Sequence, residues 1–375
     1  MLNYFRKKIF DKRAKILNLK KSSKFKIQDK KAKILNLKKS SKFISSKFNY
    51  LDFEYKSYGK KNPNKFFFVI RRTPGAGFFS NLNFVLHNLY ICEKLKMIPI
   101  IDMENYHTLY NCRVKIDNSK NAWNYYYKSV SNYNLDEVYQ SKNVFICDNR
   151  TSNRGFIKDL KKSKFKYFHG FQYLDIRHKK IFQKYIKIQE KFLDISKKFA
   201  DKNFKNKKIL GVCFRGSDQK KSGYHPYTPT EKQMLFVTNF LIKKYNFDKI
   251  FICTEDIDYL NFYKKKYGEK VLYSDSIRTT DKVDLFDSED IRHRYKIGRG
   301  NLIDMLILSK TNHILFATSN IPYAAIFYSG RKIPHSLIDN GMQGNIFISQ
   351  ISWYIKKYLP SFLGGFKNEF KSFDL

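Results

Sequence analysis

The chain has 375 residues, of which 42% are hydrophobic and 17% aromatic. This composition is too apolar for a mainly disordered chain, and at one domain per ~150 residues it predicts two folded domains. The 73 Lys and Arg residues against 33 Asp and Glu residues give a net charge of +40, which favours a polyanionic partner such as nucleic acid or an acidic membrane. Five cysteines without a CxxC pair predict reduced structural thiols.

Two features weaken the inference from net charge to a polyanion. Lysine supplies 59 of the 73 basic residues in a chain also rich in Asn, Ile, Phe and Tyr, a pattern typical of A+T-rich coding bias. The charge is also uneven, because residues 1–50 contain 17 basic and two acidic residues and carry +15, which leaves +25 for the remainder. Part of the positive charge is therefore compositional.

Residues 1–50 form a basic, repetitive tail. Residues 11–25 recur as 29–43, and a period of 18 residues equals five helical turns, so equivalent positions would share one face of a helix. The stripe is only partly apolar, which favours a segment that orders on an anionic membrane surface. A solvated tail without a role is the alternative. With no apolar run of ~20 residues and no signal-peptide core, we expect a cytoplasmic protein, peripheral on the inner face of the membrane.

The next part of the chain predicts a βαβ unit. A strand at Lys65–Arg72 is followed by a glycine-rich turn at 73–77, a helix at Phe79–Leu95 and a second strand at Ile98–Asp102. A mixed helical stretch follows around residues 155–200. We take residues 51–200 as an N-terminal Rossmann-like domain with connecting helices.

The second half repeats the alternation of strands and helices. Its predicted strands are Ile209–Phe214, Lys249–Thr254, Val271–Ser274, His313–Ala317 and Lys332–Ile338. Its predicted helices are Glu231–Lys244, Asp256–Tyr267, Asn301–Ser309 and Asn320–Tyr328. Apolar strands spaced by helices predict a parallel sheet covered on both faces. We expect an α/β protein with a second Rossmann-like domain at 201–345 across a central cleft, and a helical C-terminal tail at 346–375.

The sharpest polar cluster follows the strand that begins the second domain, in Gly211-Val-Cys-Phe-Arg-Gly-Ser-Asp218. Arg215 stands at the carboxyl end of the strand, beside a glycine that permits close backbone approach and a serine that can donate. That set is typical of a pyrophosphate clamp. An Arg215–Asp218 pair in a structural turn is the alternative.

Four stretches in order, and a further one in the first half, resemble the fucosyltransferase superfamily, over about residues 64–345. The 211–218 motif is similar to its His-x-Arg-x-Thr/Gly-Asp motif, and Tyr224-His225-Pro226 follows at the distance seen in alpha-1,6 enzymes. The segment 302–309 resembles the Asp-containing helix that reads the guanosine, and 316–320 the Ser-rich loop under the diphosphate. The segment 75–83 resembles the Gly-rich loop and helix of the acceptor-side domain.

This resemblance implies a GT-B fold, a GDP-fucose donor, a glycan or glycolipid acceptor, and an inverting reaction without a metal or other cofactor. Arg215 would offset the charge on the departing GDP. Asp304 would contact the guanosine, and Ser319 and Asn320 would bind phosphate at a helix N-terminus. The other implied substrate-binding residues are Gly75, Gly77, Asn81, Gly216, Ser217 and His225.

Three departures from the family pattern affect the catalytic assignment. Cys213 stands where the family has His, and Gly216 stands where alpha-1,6 enzymes have a second Arg. No carboxylate lies between Gln219 and Thr230, where those enzymes place a proposed base. The base is therefore Asp218, a residue of the first domain, or no strong base at all. We take Arg215 and Asp218 as the catalytic residues.

Several other stretches have two interpretations each. Asp256-Ile-Asp258 is either a metal-binding DxD or a helix N-cap, which we favour, and the adjacent Glu255 leaves a donor-side role open. The aromatic segment Asn121–Tyr133 is either an acceptor platform or core. For the whole chain, the alternatives are a nucleic-acid-binding protein, which lacks the usual motifs here, and a GT-B transferase that uses another nucleotide sugar.

Overall fold

A computed structural model describes residues 54–72, 75–147, 176–216, 220, 223, 225–280, 284–330, 333–344 and 346–373. Within this part of the chain, two mainly parallel sheets, each combined with helices, form an α/β protein. This confirms the predicted fold class of paired Rossmann-like units. The basic tail with its 18-residue repeat lies outside the described residues.

The first sheet has four strands in the order β1-β4-β2-β3. The strands are β1 (Glu54–Lys56), β2 (Phe67–Ile70), β3 (Ile98–Ile101) and β4 (Val144–Cys147). Strand β2 pairs in parallel with β3 and β4, whereas β1 adds antiparallel at the edge. The predicted βαβ unit is confirmed, with the helix α1 (Phe78–Leu95) between β2 and β3. The one-turn helix α2 (Leu135–Val138) precedes β4.

The second sheet has six strands in the order β10-β9-β8-β5-β6-β7. Its strands are β5 (Ile209–Cys213), β6 (Lys249–Cys253), β7 (Val271–Leu272), β8 (His313–Ala317), β9 (His335–Ile338) and β10 (Lys371–Phe373). All neighbours are parallel except β10, which pairs antiparallel with β9. The chain order therefore reverses between β5 and β8. In such sheets the crevice at the carboxyl ends beside the reversal is the usual ligand site.

Seven further α-helices in the described part of the chain connect or cover the sheets. They are α3 (Ile176–Tyr185), α4 (Glu190–Asn203), α5 (Glu231–Tyr245), α6 (Ile257–Tyr267), α7 (His293–Leu308), α8 (Asn320–Ser329) and α9 (Ile346–Tyr358). Local sequence sets several of their boundaries. The side chain of Thr230 caps α5 in a capping box with Gln233, and α1 ends at Lys96 in the left-handed conformation.

Three apolar clusters build the core. The largest joins the two units, because it includes Leu86 of α1, Ile303 of α7 and Phe316 of β8. A second covers the opposite face of the second sheet, and a third covers the opposite face of the first sheet. The two units therefore share one apolar core.

Candidate active site

Arg215 and Gly216 follow β5 at the carboxyl edge of the second sheet. Arg215 Nε lies 3.4 Å from Glu255 Oε1, and the same oxygen accepts a hydrogen bond from the backbone N–H of Gly216 at 3.3 Å. Glu255 follows β6, the neighbour of β5. The carboxylate thus fixes both the guanidinium and the backbone of the turn. A Cβ at Gly216 would lie 2.2 Å from Thr228 Cγ2, so this close approach requires glycine.

Ser319 and Asn320 follow β8, on the other side of β5. They begin α8, and the N-cap Ser319 makes no side-chain capping bond. Ser319 is only 7% exposed, yet its Oγ and the Oδ1 of Asn320 have no hydrogen-bond partner among the described residues. An uncapped helix N-terminus with buried, unpartnered polar groups is suited to an anion such as phosphate.

Asp304 lies on α7 and is buried beside the loop that follows β7. It accepts a hydrogen bond from the Ser274 hydroxyl, which is 2.7 Å from the Ser276 hydroxyl. Arg278 Nη1 donates to the carbonyls of Ser274 and Ser276, at 3.1 and 2.8 Å. Burial raises the pKa of Asp304 to about 6, so the carboxylate forms only above mildly acidic pH.

The glycine-rich loop precedes α1 at the carboxyl edge of the first sheet. Gly75 has a φ of 102°, which favours glycine, and Gly77 is the N-cap, with open space where a Cβ would stand. The Asn81 amide donates to the Ala76 carbonyl at 3.3 Å, while its Oδ1 is buried without a partner in the described structure. Asn81 therefore supports the loop and retains an unused acceptor.

Arg72 was not among the predicted site residues, and it lies beside this loop. Its guanidinium donates to the Ser80 carbonyl in the first turn of α1. Burial lowers its pKa to about 10, and its Nε has no partner within the described ranges. A buried cation at a helix start adds positive potential to this edge of the sheet.

A chain of aromatic contacts connects the start of α1 to the helix that carries Asp304. Phe78 packs edge-on against Tyr126 at 4.9 Å, and Tyr126 stacks on Tyr295 of α7 at 5.8 Å. The Tyr126 hydroxyl donates to the Tyr295 carbonyl, and a Cβ at Gly298 would lie 2.2 Å from that hydroxyl. Asp304 is six residues further along α7, about 9 Å by helical rise.

The remaining predicted site residues have mixed outcomes. His225 is exposed. Its backbone carbonyl accepts a hydrogen bond from the Gln343 N–H at 2.8 Å, and this bond positions the backbone of His225. Ser217 and Asp218 lie outside the described residues. The predicted Arg215–Asp218 pair therefore stays a prediction, and in the described residues Glu255 is a carboxylate that contacts Arg215.

The interpretations left open elsewhere are resolved by burial and hydrogen bonding. Asp256 caps α6 by accepting the backbone N–H groups of Asp258 and Tyr259, as favoured. Within the described residues, no group of three or more His, Cys, Asp and Glu side chains could hold a metal ion. Cys213 is buried in register with Cys253, as a packed strand residue.

The segment Asn121–Tyr133 is mainly core. Trp123, Tyr125, Tyr126 and Tyr127 are all buried, which favours a core segment over an exposed acceptor platform. Their regular aromatic spacing alone could not distinguish a sugar-stacking surface from an interior.

Some site neighbours could be found only from the fold. Glu255 carried a weak signal, because Thr254-Glu255-Asp256, at the end of a predicted strand, resembles an acidic motif of the fucosyltransferase superfamily. Ser274 and Arg278 carried none, because their proximity to Asp304 depends on how α7 packs against the loop after β7. Gly300 permits that packing, since its Cβ would lie 2.9 Å from the Ser276 hydroxyl.

Known proteins resemble this chain only at the level of structure. No family model and no curated protein matches the sequence. The fucosyltransferase NodZ from Bradyrhizobium is similar with a TM-score of 0.45 and 16% identity, covering 75% of this chain and 100% of that one. POFUT1 in complex with GDP gives 0.40 and 11%, covering 74% and 98%. Arabidopsis thaliana FUT1 gives 0.39 and 9%, covering 75% and 72%. The likeness is distant, so function has to be inferred from the residues of the site.

Among the described helices, none is both long and apolar enough to cross a bilayer.

Proposed function

We propose that this chain is a glycosyltransferase that binds a nucleoside-diphosphate sugar at the carboxyl edge of the second sheet. The observation that carries the proposal is the pair of buried, unpartnered oxygens of Ser319 and Asn320 at an uncapped helix start. They follow β8, and Arg215 follows β5, so they flank the point where the strand order reverses. A diphosphate there would receive a guanidinium on one side and helix N–H groups on the other.

The nucleoside would extend toward Asp304. A buried carboxylate accepts hydrogen bonds from the N1–H and N2–H groups of guanine, which adenine and uracil do not offer in that pattern. Asp304 is held in place by Ser274, and its ionised form exists at neutral pH. This favours a GDP-sugar, and the motif resemblance favours fucose as the sugar.

Transfer needs charge stabilisation on the departing GDP and removal of a proton from the acceptor hydroxyl. Arg215 serves the first need, because Glu255 already fixes its position. Asp218 is the candidate base for the second, in an inverting, metal-independent reaction. Ser217, Gly216 and His225 complete the donor pocket.

The acceptor would approach from the first unit, across Gly75, Gly77 and Asn81. The unused Asn81 oxygen and the open space at Gly77 leave room for a sugar hydroxyl. We propose a glycan or lipid-linked glycan as the acceptor, in the cytoplasm at the inner membrane surface. Residues 1–50 would hold the protein on anionic lipid there.

The deciding experiment is thermal unfolding with a panel of nucleoside diphosphates, because a ligand that binds the folded state raises its stability. GDP should stabilise the protein more than ADP or UDP. Stronger stabilisation by UDP or ADP would keep the proposal of a glycosyltransferase but change the nucleotide of its donor. No stabilisation by any diphosphate, together with salt-sensitive binding of nucleic acid, would reject the proposal.

Arg215→Ala tests the role of the cation. Loss of a charge-assisted bond of about 1.5–3 kcal/mol weakens GDP binding at least tenfold and abolishes turnover. Lys197→Ala is the control cation, since Lys197 of α4 forms an exposed ion pair with Asp201 at 2.7 Å. Equal GDP affinity of the wild-type protein and Arg215→Ala would show that Arg215 does not bind the diphosphate.

A further inference from the structure

An exposed apolar surface is formed by α9 and the turn after it. Six large side chains compose it: Ile351, Ile355, Tyr358, Leu359, Phe362 and Leu363. Tyr358 is 80% exposed and Phe362 84% exposed, values more typical of lysine than of aromatic residues. We call these six residues the C-terminal apolar surface. Contiguous apolar exposure of this kind marks an interaction site.

The opposite face of α9 holds the helix on the second unit. Trp353 is buried and its indole N–H donates to the Thr228 carbonyl at 2.8 Å, while Lys357 pairs with Glu231 at 3.3 Å. Residues 351, 355 and 358 follow helical spacing and share the outward face. The apolar side chains therefore stand on a docked helix.

The turn that carries Phe362 and Leu363 is also well supported. The N–H of Gly364 donates to the Ser361 carbonyl at 3.2 Å, and the N–H of Gly365 donates to the Pro360 carbonyl at 3.0 Å. Lys356 Nζ donates to the Gly364 carbonyl at 2.9 Å. Both exposed side chains project from a closed, hydrogen-bonded loop.

Charge distinguishes among the possible occupants of this surface. Residues 340–368 contain no Asp or Glu, in a chain with a net charge of +40. Of their lysines, Lys356 donates to the Gly364 carbonyl, while Lys357 and Lys367 pair with Glu231 and Glu369. A second copy would bring like charges together, whereas an anionic bilayer offers opposite charge beside an apolar interior. An apolar face bordered by lysines is typical of helices that lie in the membrane interface.

We propose that the C-terminal apolar surface docks on an anionic bilayer by inserting Phe362, Leu363 and Tyr358 among the lipid headgroups. This contact is separate from residues 1–50 and does not depend on the proposed enzymatic function. The docked helix lies along the membrane plane and holds the second unit at the lipid surface.

The first test is co-sedimentation of the full chain with vesicles of phosphatidylcholine mixed with phosphatidylserine. Replacing both Phe362→Ser and Leu363→Ser should lower partitioning about a hundredfold, because two apolar side chains no longer enter the interface. Ile291→Ser is the matched control, since Ile291 is an exposed apolar residue outside this surface, and it should leave partitioning unchanged.

The second test reports insertion directly. In Phe362→Trp, brominated phosphatidylcholine should quench the added fluorescence, whereas in Ile291→Trp it should not. The native Trp123 and Trp353 are both buried and provide the background. Quenching at position 362 together with weakened partitioning of the double variant supports the proposal.

Three results would overturn it. The first is unchanged partitioning of the double variant without quenching, which would assign lipid binding to residues 1–50. The second is a dimer that the double variant converts to monomer without any lipid binding, which would assign the surface to a second copy. The third is absence of wild-type binding to these vesicles.

Discussion

Ser319→Ala should have opposite effects on stability and on ligand binding. The Ser319 hydroxyl is buried without a partner in the described part of the chain, and an unsatisfied buried hydroxyl costs about 1–3 kcal/mol. Removing it should stabilise the ligand-free protein by about 1 kcal/mol. The same hydroxyl would donate to phosphate, so GDP affinity should fall about tenfold or more, from loss of a charge-assisted bond.

Urea unfolding of the ligand-free protein and calorimetric titration with GDP measure the two effects separately. Ser309→Ala is the matched control, because Ser309 is similarly buried but donates to the Leu306 carbonyl at 2.7 Å. That variant should be destabilised by about 1 kcal/mol, with GDP affinity unchanged. Destabilisation by Ser319→Ala with unaltered GDP affinity would refute the reasoning, since the hydroxyl would then serve only the fold.

Three further predictions concern other parts of the site. Because burial raises the Asp304 pKa from 3.8 to about 6, the folded state holds this proton more tightly than the unfolded chain, so stability should fall as pH rises between those values. In urea unfolding, Asp304→Asn should flatten this dependence of stability on pH. In the wild-type protein, GDP affinity should increase as pH rises through about 6, because the carboxylate forms. A GDP affinity that does not depend on pH would contradict the guanine contact. Gly298→Ala should destabilise by about 1–3 kcal/mol, because its Cβ would meet the Tyr126 hydroxyl, while Gly77→Ala, with open space, should leave thermal unfolding nearly unchanged. Gly216→Ala should weaken GDP binding by displacing the Arg215 turn against Thr228, and unchanged calorimetric affinity would show that the turn tolerates the shift.

Strongly periodic elements were predictable from the sequence almost to the residue. The predicted helix Phe79–Leu95 begins one residue earlier in the structure, and His313–Ala317 is a strand with the predicted bounds. Long apolar periodicity and β-branched runs specify such elements without help from tertiary packing.

Other elements depend on contacts that a linear pattern does not contain. The helix predicted to begin at Asn301 begins at His293 in the structure. Its Gly298 and Gly300 lie inside the helix, where the absence of a side chain permits close packing against Tyr126 and Ser276. The edge strands β1 and β10 have three residues each and take their conformation from antiparallel pairing. A glycine that permits close approach and a glycine that ends a helix look the same in sequence.

The candidate site was predictable where residues directly follow strands. Arg215, Ser319 and Asn320 could be chosen because parallel strands bring their carboxyl ends to one edge. The strand order, which places β8 and β6 on either side of β5, could not be predicted from the sequence. The contact between Arg215 and Glu255 depends on that order, so it could not be predicted either.

Several of the unsatisfied buried polar atoms occur at positions where the proposed ligand would lie. Among the described residues, buried side-chain atoms without hydrogen-bond partners include those of Asn81, Arg278, Ser319 and Asn320, while others, such as those of Asn83 and Tyr127, lie elsewhere in the fold. Folded proteins pair nearly all of their buried polar groups, so each such atom lowers stability unless something else satisfies it. Arg278 follows β7, Ser319 and Asn320 follow β8, and Asn81 lies in the first turn of α1. A molecule with phosphate oxygens and sugar hydroxyls offers partners for these groups, and its binding would recover the stability that the ligand-free fold lacks.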